Sequence, residues 1–319
     1  MNKPNIIISK CLNFDNCRFN GAKINDDFLL KLEKFVNFIP VCPEVAIGLS
    51  TPRLPLRLFK QKDEILLFQP ATDTDLTEKM DNFSNQFLKS QKNLDGFILK
   101  NRSPSCGIND VRIYDKKVSY TFIKSGTGSF TKNINSYFLN IPKEDEGRLK
   151  NFKLREEFLT KIFCLANFRE IKESKKISDL SDFQAKNKYL FMFYSQKKQN
   201  ELGQLIASYN KTNLSEILND YHIKLLELFN TETKTGRMIN SLTHIFGYFK
   251  ETCSALEKDF FLETIEVYRE GRIPTSSVIS ILKTLALRDN SEYILKQTIF
   301  NPFPKELIEL SDSGRLLNL

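Results

Sequence analysis

The stretch NIIISKC, residues 5–11, decides the fold of the first part of the chain. Its three consecutive isoleucines predict a strand that is buried on both faces. Two further apolar runs, at 38–41 and 96–100, have the same character. Between them, residues 26–37 and 75–91 carry helical apolar spacing. Strands that alternate with helices predict an α/β domain with a largely parallel, Rossmann-like sheet.

Two other segments of this part have the pattern of β-hairpins. Residues 54–59 and 64–69 are short strand-like runs on either side of a charged turn. Residues 111–114 and 118–123 repeat that arrangement and would close the domain.

Beyond about residue 141 the strand signals give way to helical ones. Residues 214–228 keep helical apolar spacing, and Asn213 and Glu216 stand where an N-terminal capping pair would begin that helix. Residues 256–270 form another helical pattern that ends at Gly271. The second part is therefore predicted to be all-α.

The length of 319 residues is about twice that of a typical domain. We expect an α/β domain over residues 1–140 and a helical domain over 141–319, with the boundary in the polar segment 141–148. No run approaches the ~20 apolar residues of a membrane helix, and Ile6–Ile8 is too short for a signal peptide. The expectation is a cytoplasmic protein without membrane spans, and the oligomeric state stays open.

The chain contains six cysteines and carries a formal net charge of +8. Thiols stay reduced in the cytoplasm, so metal binding or catalysis is an alternative to six small buried hydrophobic residues. The positive charge suits an anionic substrate such as a nucleotide or RNA, although a generic solvated surface is the better explanation of it.

Three of the cysteines share a position relative to the predicted sheet. Cys11 follows the first strand, Cys42 follows the second, and Cys106 lies beyond the third. Ligands of open α/β sheets bind at the carboxyl ends of the strands, so these thiols could converge on one site. Zinc would need a fourth ligand, whereas an iron–sulfur cluster held by three thiolates keeps one iron open as a Lewis acid.

Three segments around these cysteines resemble the signature blocks of the thiouracil desulfidase family. They follow one another in the family's order and span nearly the whole predicted α/β domain. The segments are CLNFDNCRFNG (11–21), VCPEVAIGLSTPR (41–53) and ILKNRSPSCG (98–107).

The resemblance implies an enzyme that removes sulfur from thiolated pyrimidines without net redox change. It implies that Cys11, Cys42 and Cys106 bind a [4Fe–4S] cluster. It also implies that Glu44 is the catalytic acid/base and Ser103 the catalytic serine. From the residue types alone, a surface salt bridge for Glu44 and a turn-capping hydroxyl for Ser103 remain alternatives.

The remaining residues of interest in these blocks have ordinary explanations as well. Arg18 and Arg53 could contact an anionic substrate or form structural ion pairs. Cys17 stands where the family usually has an aliphatic residue, so we interpret it as a packing residue. Cys164 and Cys253 lie in helical patterns and are expected in the core.

The second part resembles the YbgA-like helical domain, for which the resemblance implies no activity. Relatives usually carry histidines where this chain has Gln184 and Asn187, which argues against a histidine metal site. The matching segments are EGRLKNFKLREEF (146–158), KYLFMFYSQKKQNELGQLIA (188–207), HIFGYFK (244–250), YREGRIP (268–274) and NPFPKEL (301–307).

Two functional hypotheses follow. The first is a hydrolytic desulfidase that acts on thiouracil or a related thiolated nucleobase or nucleotide. The second is a non-catalytic protein that binds thiolated RNA or nucleotides and contains a structural cluster or zinc. An open iron site beside an acid/base carboxylate favours the enzyme, and a fourth protein ligand favours the binding protein.

Overall fold

The computed structural model describes residues 2–115 and 122–309, which form two compact units. The first unit runs to Ala166 and also includes residues 306–309, and the second runs from Asn167 to Lys305. Part of the hairpin strand expected at 118–123 lies outside the described residues. The expected domain boundary at about residue 141 stays a prediction.

The elements of the first unit alternate between strands and helices over most of their length, as the sequence predicted. In chain order they are β1 (Asn5–Ser9), α1 (Asp27–Leu32), β2 (Asn37–Val41), α2 (Pro43–Ala46), β3 (Arg57–Gln61), β4 (Glu64–Gln69), β5 (Thr74–Asp75), α3 (Thr77–Ser90), β6 (Gly96–Leu99), β7 (Val111–Tyr114), β8 (Phe122–Gly126), α4 (Ser129–Tyr137) and β9 (Lys143–Asp145). Helix α5 (Phe152–Ser174) follows, and the division of the chain between Ala166 and Asn167 falls within its sequence.

A fully parallel four-stranded sheet forms the core of the first unit, in the order β2-β1-β6-β9. The isoleucines of β1 are completely buried, as expected for a central strand covered on both faces. In the register, Ser9 lies opposite Val41 and Ile8 opposite Ile98. The carboxyl ends of β1, β2 and β6 therefore lie side by side, and the predicted α/β class is confirmed.

The two predicted hairpins form a second sheet that the sequence did not predict. Its order is β5-β4-β3-β7-β8, with antiparallel hairpin pairs and a parallel contact between β3 and β7. Strand β9 was also missed, and it lies inside the segment 141–148 that we expected to separate the domains. Apolar alternation identifies a strand, but the alternation does not show which other strand will pair with that strand.

The second unit is all-α in its described residues, which confirms the predicted class. After the end of α5 its helices are α6 (Ile177–Tyr194), α7 (Gln196–Ala207), α8 (Leu214–Phe229), α9 (Thr235–Phe246), α10 (Ala255–Arg269), α11 (Thr275–Arg288) and α12 (Glu292–Leu295). None of the helices in the described ranges is long and apolar enough to cross a membrane.

The prediction of a capping pair at Asn213 and Glu216 was wrong. Asn213 is the N-cap of α8, but its side chain accepts a hydrogen bond from the amide of Asn210 instead of capping the helix. A complete capping box lies at α10, where the Ser254 hydroxyl and the Glu257 carboxylate bind each other's backbone amides. Gln184 accepts a hydrogen bond from Tyr221 and donates to the carbonyl of Gln199, so it belongs to the interior of this unit.

A half-buried histidine predicts how the second unit responds to acid. His222 stacks on Phe168, and burial, aided by the charge of Lys172, lowers its pKa to about 4. The unfolded chain therefore takes up a proton near the ordinary pKa of about 6.5, while the folded chain does not. This contribution to stability is complete above the unfolded pKa and is lost as the pH falls toward 4.

We expect urea unfolding of the full chain to show a loss of about 2 kcal/mol between about pH 7 and pH 5 that is absent in His222→Phe. The phenylalanine keeps the ring and removes the titrating nitrogen. Parallel pH dependences in the two proteins would contradict the assignment of this loss to His222.

Candidate active site

Loops that follow the carboxyl ends of β1, β2 and β6 enclose a cavity of about 480 Å³. This is the size of a pocket for a small organic molecule. The residues that line it come mainly from these three loops: Ser9, Lys10, Cys11, Cys17, Arg18, Phe19, Val41, Cys42, Pro43, Glu44, Arg53, Pro55, Leu56, Lys100, Asn101, Arg102, Ser103, Pro104 and Cys106. Each site residue predicted from the sequence is among them.

Four thiols line this cavity instead of the expected three. Cys11, Cys42 and Cys106 are joined by Cys17, whose side chain is within hydrogen-bond contact of Cys11 and Cys42. Cys17 is 4% exposed, so it is buried as expected, but it is buried among thiols and not in an apolar core. Cys164 is a fully buried core residue, as predicted.

Three thiols of the cavity, those of Cys17, Cys42 and Cys106, have raised pKa values. Contact with Cys11, together with burial, raises the pKa of Cys17 to about 11. Contact with Cys17 and burial also raise the pKa of Cys42. Burial raises the pKa of Cys106 to about 12, although hydrogen bonds with Ser9 and Ser103 oppose the shift. A metal centre that binds these sulfurs must displace their protons.

The loop after β2 places an acid beside the thiols. Cys42 is the N-cap of the short helix α2, and Pro43 begins the helix because its fixed φ suits the first helical position. Glu44 then lies in the first turn, and it is 8% exposed. The chain direction set by Pro43 therefore brings a carboxylate and a thiol into the same cavity.

Glu44 forms a buried ion pair with Arg53. Its Oε2 atom accepts from Arg53 Nε at 2.7 Å and from Nη2 at 2.5 Å. Arg53 also donates to the carbonyl of Cys17 at 3.0 Å. The Oε1 atom of Glu44 accepts from the hydroxyl of Ser105 at 2.9 Å. The salt bridge considered for Glu44 exists, but it lies inside the cavity wall and not on the surface.

The two serines of the segment SPSCG have different surroundings. Ser103 lines the cavity, and its Oγ accepts from the amides of Ser105 at 3.2 Å and Cys106 at 3.1 Å. Ser103 thus caps the turn that carries Cys106, and its hydroxyl also contacts the Cys106 thiol. Ser105 contacts Glu44 from behind the cavity wall, a contact that sequence reasoning missed.

Among the described residues, cations dominate the cavity lining, and Glu44 is its single acidic side chain. Lys10 pairs with Asp15 at 2.8 Å, and Lys100 pairs with the buried Glu146 at 2.6 Å. Arg18 and Arg102 also line the cavity. The site therefore presents a positive field to a ligand.

The start of helix α4 holds the turn around Cys106 in place. The carbonyl of Ser105 accepts from the amides of Phe130 at 3.0 Å and Thr131 at 3.2 Å. The Thr131 hydroxyl donates to the carbonyl of Cys106 at 2.8 Å. The backbone of Gly128 passes so close that a Cβ atom there would lie 2.5 Å from the carbonyl oxygen of Ser105.

The chemistry of the donor set fits an iron–sulfur cluster. Thiolates are the usual ligands of iron–sulfur clusters, and thiols from all three loops face one cavity. Within residues 2–115 and 122–309, no group of three or more His, Cys, Asp or Glu side chains is arranged to hold one metal ion. A cluster offers a separate iron to each thiolate, so its ligands need not converge on a single point.

Two protein families match the chain in the expected order. Residues 6–146 match the family described as 2-thiouracil desulfurase. Residues 188–304 match the family described as a protein of unknown function, DUF1722.

The chain is also similar to individual proteins. It is 33% identical to the uncharacterized protein YbbK of Bacillus subtilis over 109 residues, which cover 32% of this chain and 72% of YbbK. It is 26% identical to the uncharacterized protein YbgA of Escherichia coli over 160 residues, which cover 50% of this chain and 94% of YbgA. A solved structure of the [4Fe-4S]-dependent thiouracil desulfidase TudS is similar over 46% of this chain and 93% of TudS. The two sequences are 28% identical, and the TM-score is 0.38.

The close approach at Gly128 predicts a strong effect of a single methyl group. In Gly128→Ala the new Cβ meets backbone atoms of Ser105 and Gly107, which cannot move without shifting the turn before Cys106. We expect a loss of about 1–3 kcal/mol in the free energy of unfolding, measured by urea denaturation.

A matched control is Gly236→Ala in α9, where no atom other than those of the neighbouring residues and the helix's own backbone lies within 4 Å of the added Cβ. This change is expected to leave stability unchanged or to raise it by up to about 1 kcal/mol. Equal stabilities of the two variants would contradict the tight packing at Gly128.

Proposed function

Because the chain belongs to the 2-thiouracil desulfurase family through residues 6–146, we propose that it hydrolyses the thiocarbonyl group of a thiolated pyrimidine. Water replaces sulfur, so that C=S becomes C=O and hydrosulfide is released with a proton. No electrons enter or leave the reaction. The observation that carries the proposal is a buried carboxylate in the same small cavity as thiols from three strand ends.

The proposed cofactor is a [4Fe–4S] cluster held by Cys11, Cys42 and Cys106. These residues lie on the three separate loops that surround the cavity, so they can bind three different irons. When bound, such a cluster supplies a Lewis-acid iron that polarises the thiocarbonyl group. Because the pKa values of Cys42 and Cys106 are raised, these thiols carry protons before the cluster binds. Both protons must leave when the thiolates bind iron.

In this proposal Glu44 moves the protons. Its carboxylate takes a proton from the attacking water and then delivers a proton to the departing sulfur or the ring nitrogen. Arg53 holds one carboxylate oxygen through two N–H groups, which limits rotation of the side chain. Ser103 lines the same cavity and can donate its hydroxyl proton to the substrate.

The cavity suits a thiolated nucleobase or its nucleotide. A volume of about 480 Å³ accommodates a ligand of that size. Phe19, Pro55 and Leu56 offer apolar surface to a flat ring, and Arg18 and Arg102 add positive charge to the lining. The same positive charge accommodates negative charge on the sulfur as the C–S bond breaks.

The position of the Cys17 thiol favours a second candidate function. A fourth thiolate in contact with Cys11 and Cys42 is a candidate fourth ligand, which would close the cluster and leave no iron for a substrate. A closed cluster is a structural centre, as in a non-catalytic protein that binds thiolated RNA or nucleotides. The two candidates therefore differ in whether Cys17 binds iron.

The ligand set is tested by cysteine variants of anaerobically purified protein. Cys11→Ala, Cys42→Ala and Cys106→Ala are each expected to abolish the visible absorption of the cluster, because each removes one of three thiolate anchors. Cys17→Ala is expected to retain it, as are the controls Cys164→Ala and Cys253→Ala. Loss of iron in Cys17→Ala would favour the closed site, and zinc without acid-labile sulfide would contradict the cluster.

The role of Glu44 is tested by Glu44→Gln, which keeps the shape of the side chain and removes proton transfer. We expect the variant to keep its iron and bind thiouracil but to release hydrosulfide at least ~100-fold more slowly. The matched control is Glu144→Gln, which breaks an ion pair with Arg148 in the same unit and is expected to keep full activity. Near-normal turnover of Glu44→Gln would remove Glu44 from the mechanism.

A further inference from the structure

The carboxylate of Glu44 is held at both oxygens, and the two holders differ in position. Arg53 binds Oε2 and itself lines the cavity. Ser105 binds Oε1 at 2.9 Å and is not among the lining residues. Glu44 lines the cavity, and its carboxylate is held both by a residue of the cavity lining and by a buried residue outside that lining.

Ser105 is itself held by the backbone around it. Its side chain is completely buried, and its amide donates to Ser103 Oγ at 3.2 Å. Its carbonyl accepts two amides from the first turn of α4. The Ser105 hydroxyl thus has little freedom, and a hydrogen bond from such a donor restricts the carboxylate that accepts it.

The ion pair with Arg53 limits rotation of the Glu44 side chain but contacts only one of its two carboxylate oxygens. Both N–H groups of Arg53 meet the same oxygen, so they do not fix the position of the second oxygen. The hydrogen bond from Ser105 supplies that missing constraint. Small misplacements of a catalytic group are costly, because proton transfer depends on hydrogen-bond distance and alignment.

We propose that Ser105 is a positioning residue that orients Glu44 for proton transfer. This inference rests on the proposed desulfuration and adds a residue to it. The proton that Glu44 takes from water is the one that it later gives up, and the proton of Ser105 stays in its hydrogen bond throughout. Ser105 touches neither the substrate nor the reacting atoms, in contrast to the role proposed for Ser103.

The test compares Ser105→Ala with Ser105→Thr in the full chain, loaded with iron and sulfide without oxygen. Ser105→Ala is expected to lower kcat for thiouracil by about 10- to 100-fold, with unchanged KM and iron content. Ser105→Thr keeps a hydroxyl and is expected to recover most of kcat. The matched control is Ser129→Ala, because Ser129 begins the helix whose next two amides bind the Ser105 carbonyl, and its own buried Oγ has no hydrogen-bond partner among the described residues.

A second measurement does not depend on turnover. Isotope-edited infrared spectra of the cluster-free chain contain the carboxylate stretch of Glu44, identified by its loss in Glu44→Gln. Ser105→Ala is expected to shift this band because one donor is gone, and Ser129→Ala is expected to leave it in place.

The outcomes separate this inference from the proposed function. Full kcat or an unshifted band in Ser105→Ala, with Glu44→Gln inactive, overturns the inference and leaves the desulfidase in place. Loss of iron together with kcat shows that Ser105 is only structural and also overturns it. If the unmodified, loaded chain releases no hydrosulfide while the infrared band still shifts, the proposed function has failed, and the inference fails with it.

Discussion

The parallel pairing of β1 with β2 on one side and β6 on the other is the constraint on which the site depends. Parallel neighbours end at the same edge, so the three loops that leave these strands must share one region of space. The completely buried isoleucines of β1 stabilise this arrangement, because each side chain removed from water contributes about 1.5–3 kcal/mol. Thiols separated by up to 95 positions in the chain, at Cys11, Cys42 and Cys106, therefore line one cavity.

Electrostatics decide what this cavity can do. Moving the ion pair of Glu44 and Arg53 out of water is costly, and an apolar replacement of similar volume is often as stable. A pair retained in such a place is better explained by its chemistry than by a contribution to stability. The carboxylate accepts from Arg53 and Ser105, so its three observed contacts all come from donors. In the proposed function, this fixed carboxylate would act as the proton acceptor beside thiols that would hold a cluster, which suits the hydrolysis of a thiocarbonyl group.

Much of the fold could be predicted from the sequence because its strongest signals are local. The triple isoleucine of β1, the helical spacing of α3 and the stop after α10 each depend on neighbouring residues. The second sheet, the pairing of β9 and the contact between Ser105 and Glu44, 61 positions apart, depend on partners far along the chain. The sequence likewise predicted that the thiols of three strand ends would converge. It did not predict that Cys17 would lie among them, because the loop between Cys11 and Cys17 has no apolar periodicity. The roles of Cys11, Cys42, Cys106, Glu44 and Ser103 remain predictions for experiment.

The central claim is that water replaces sulfur at a carbon atom without electron transfer. The most direct measurement is the reaction of thiouracil with the anaerobically loaded chain in ¹⁸O-labelled water, without an added reductant. The account predicts that the new carbonyl oxygen of the product carries ¹⁸O and that hydrosulfide appears in equal amount. Desulfuration that requires an electron donor, or a product without the label, would contradict it.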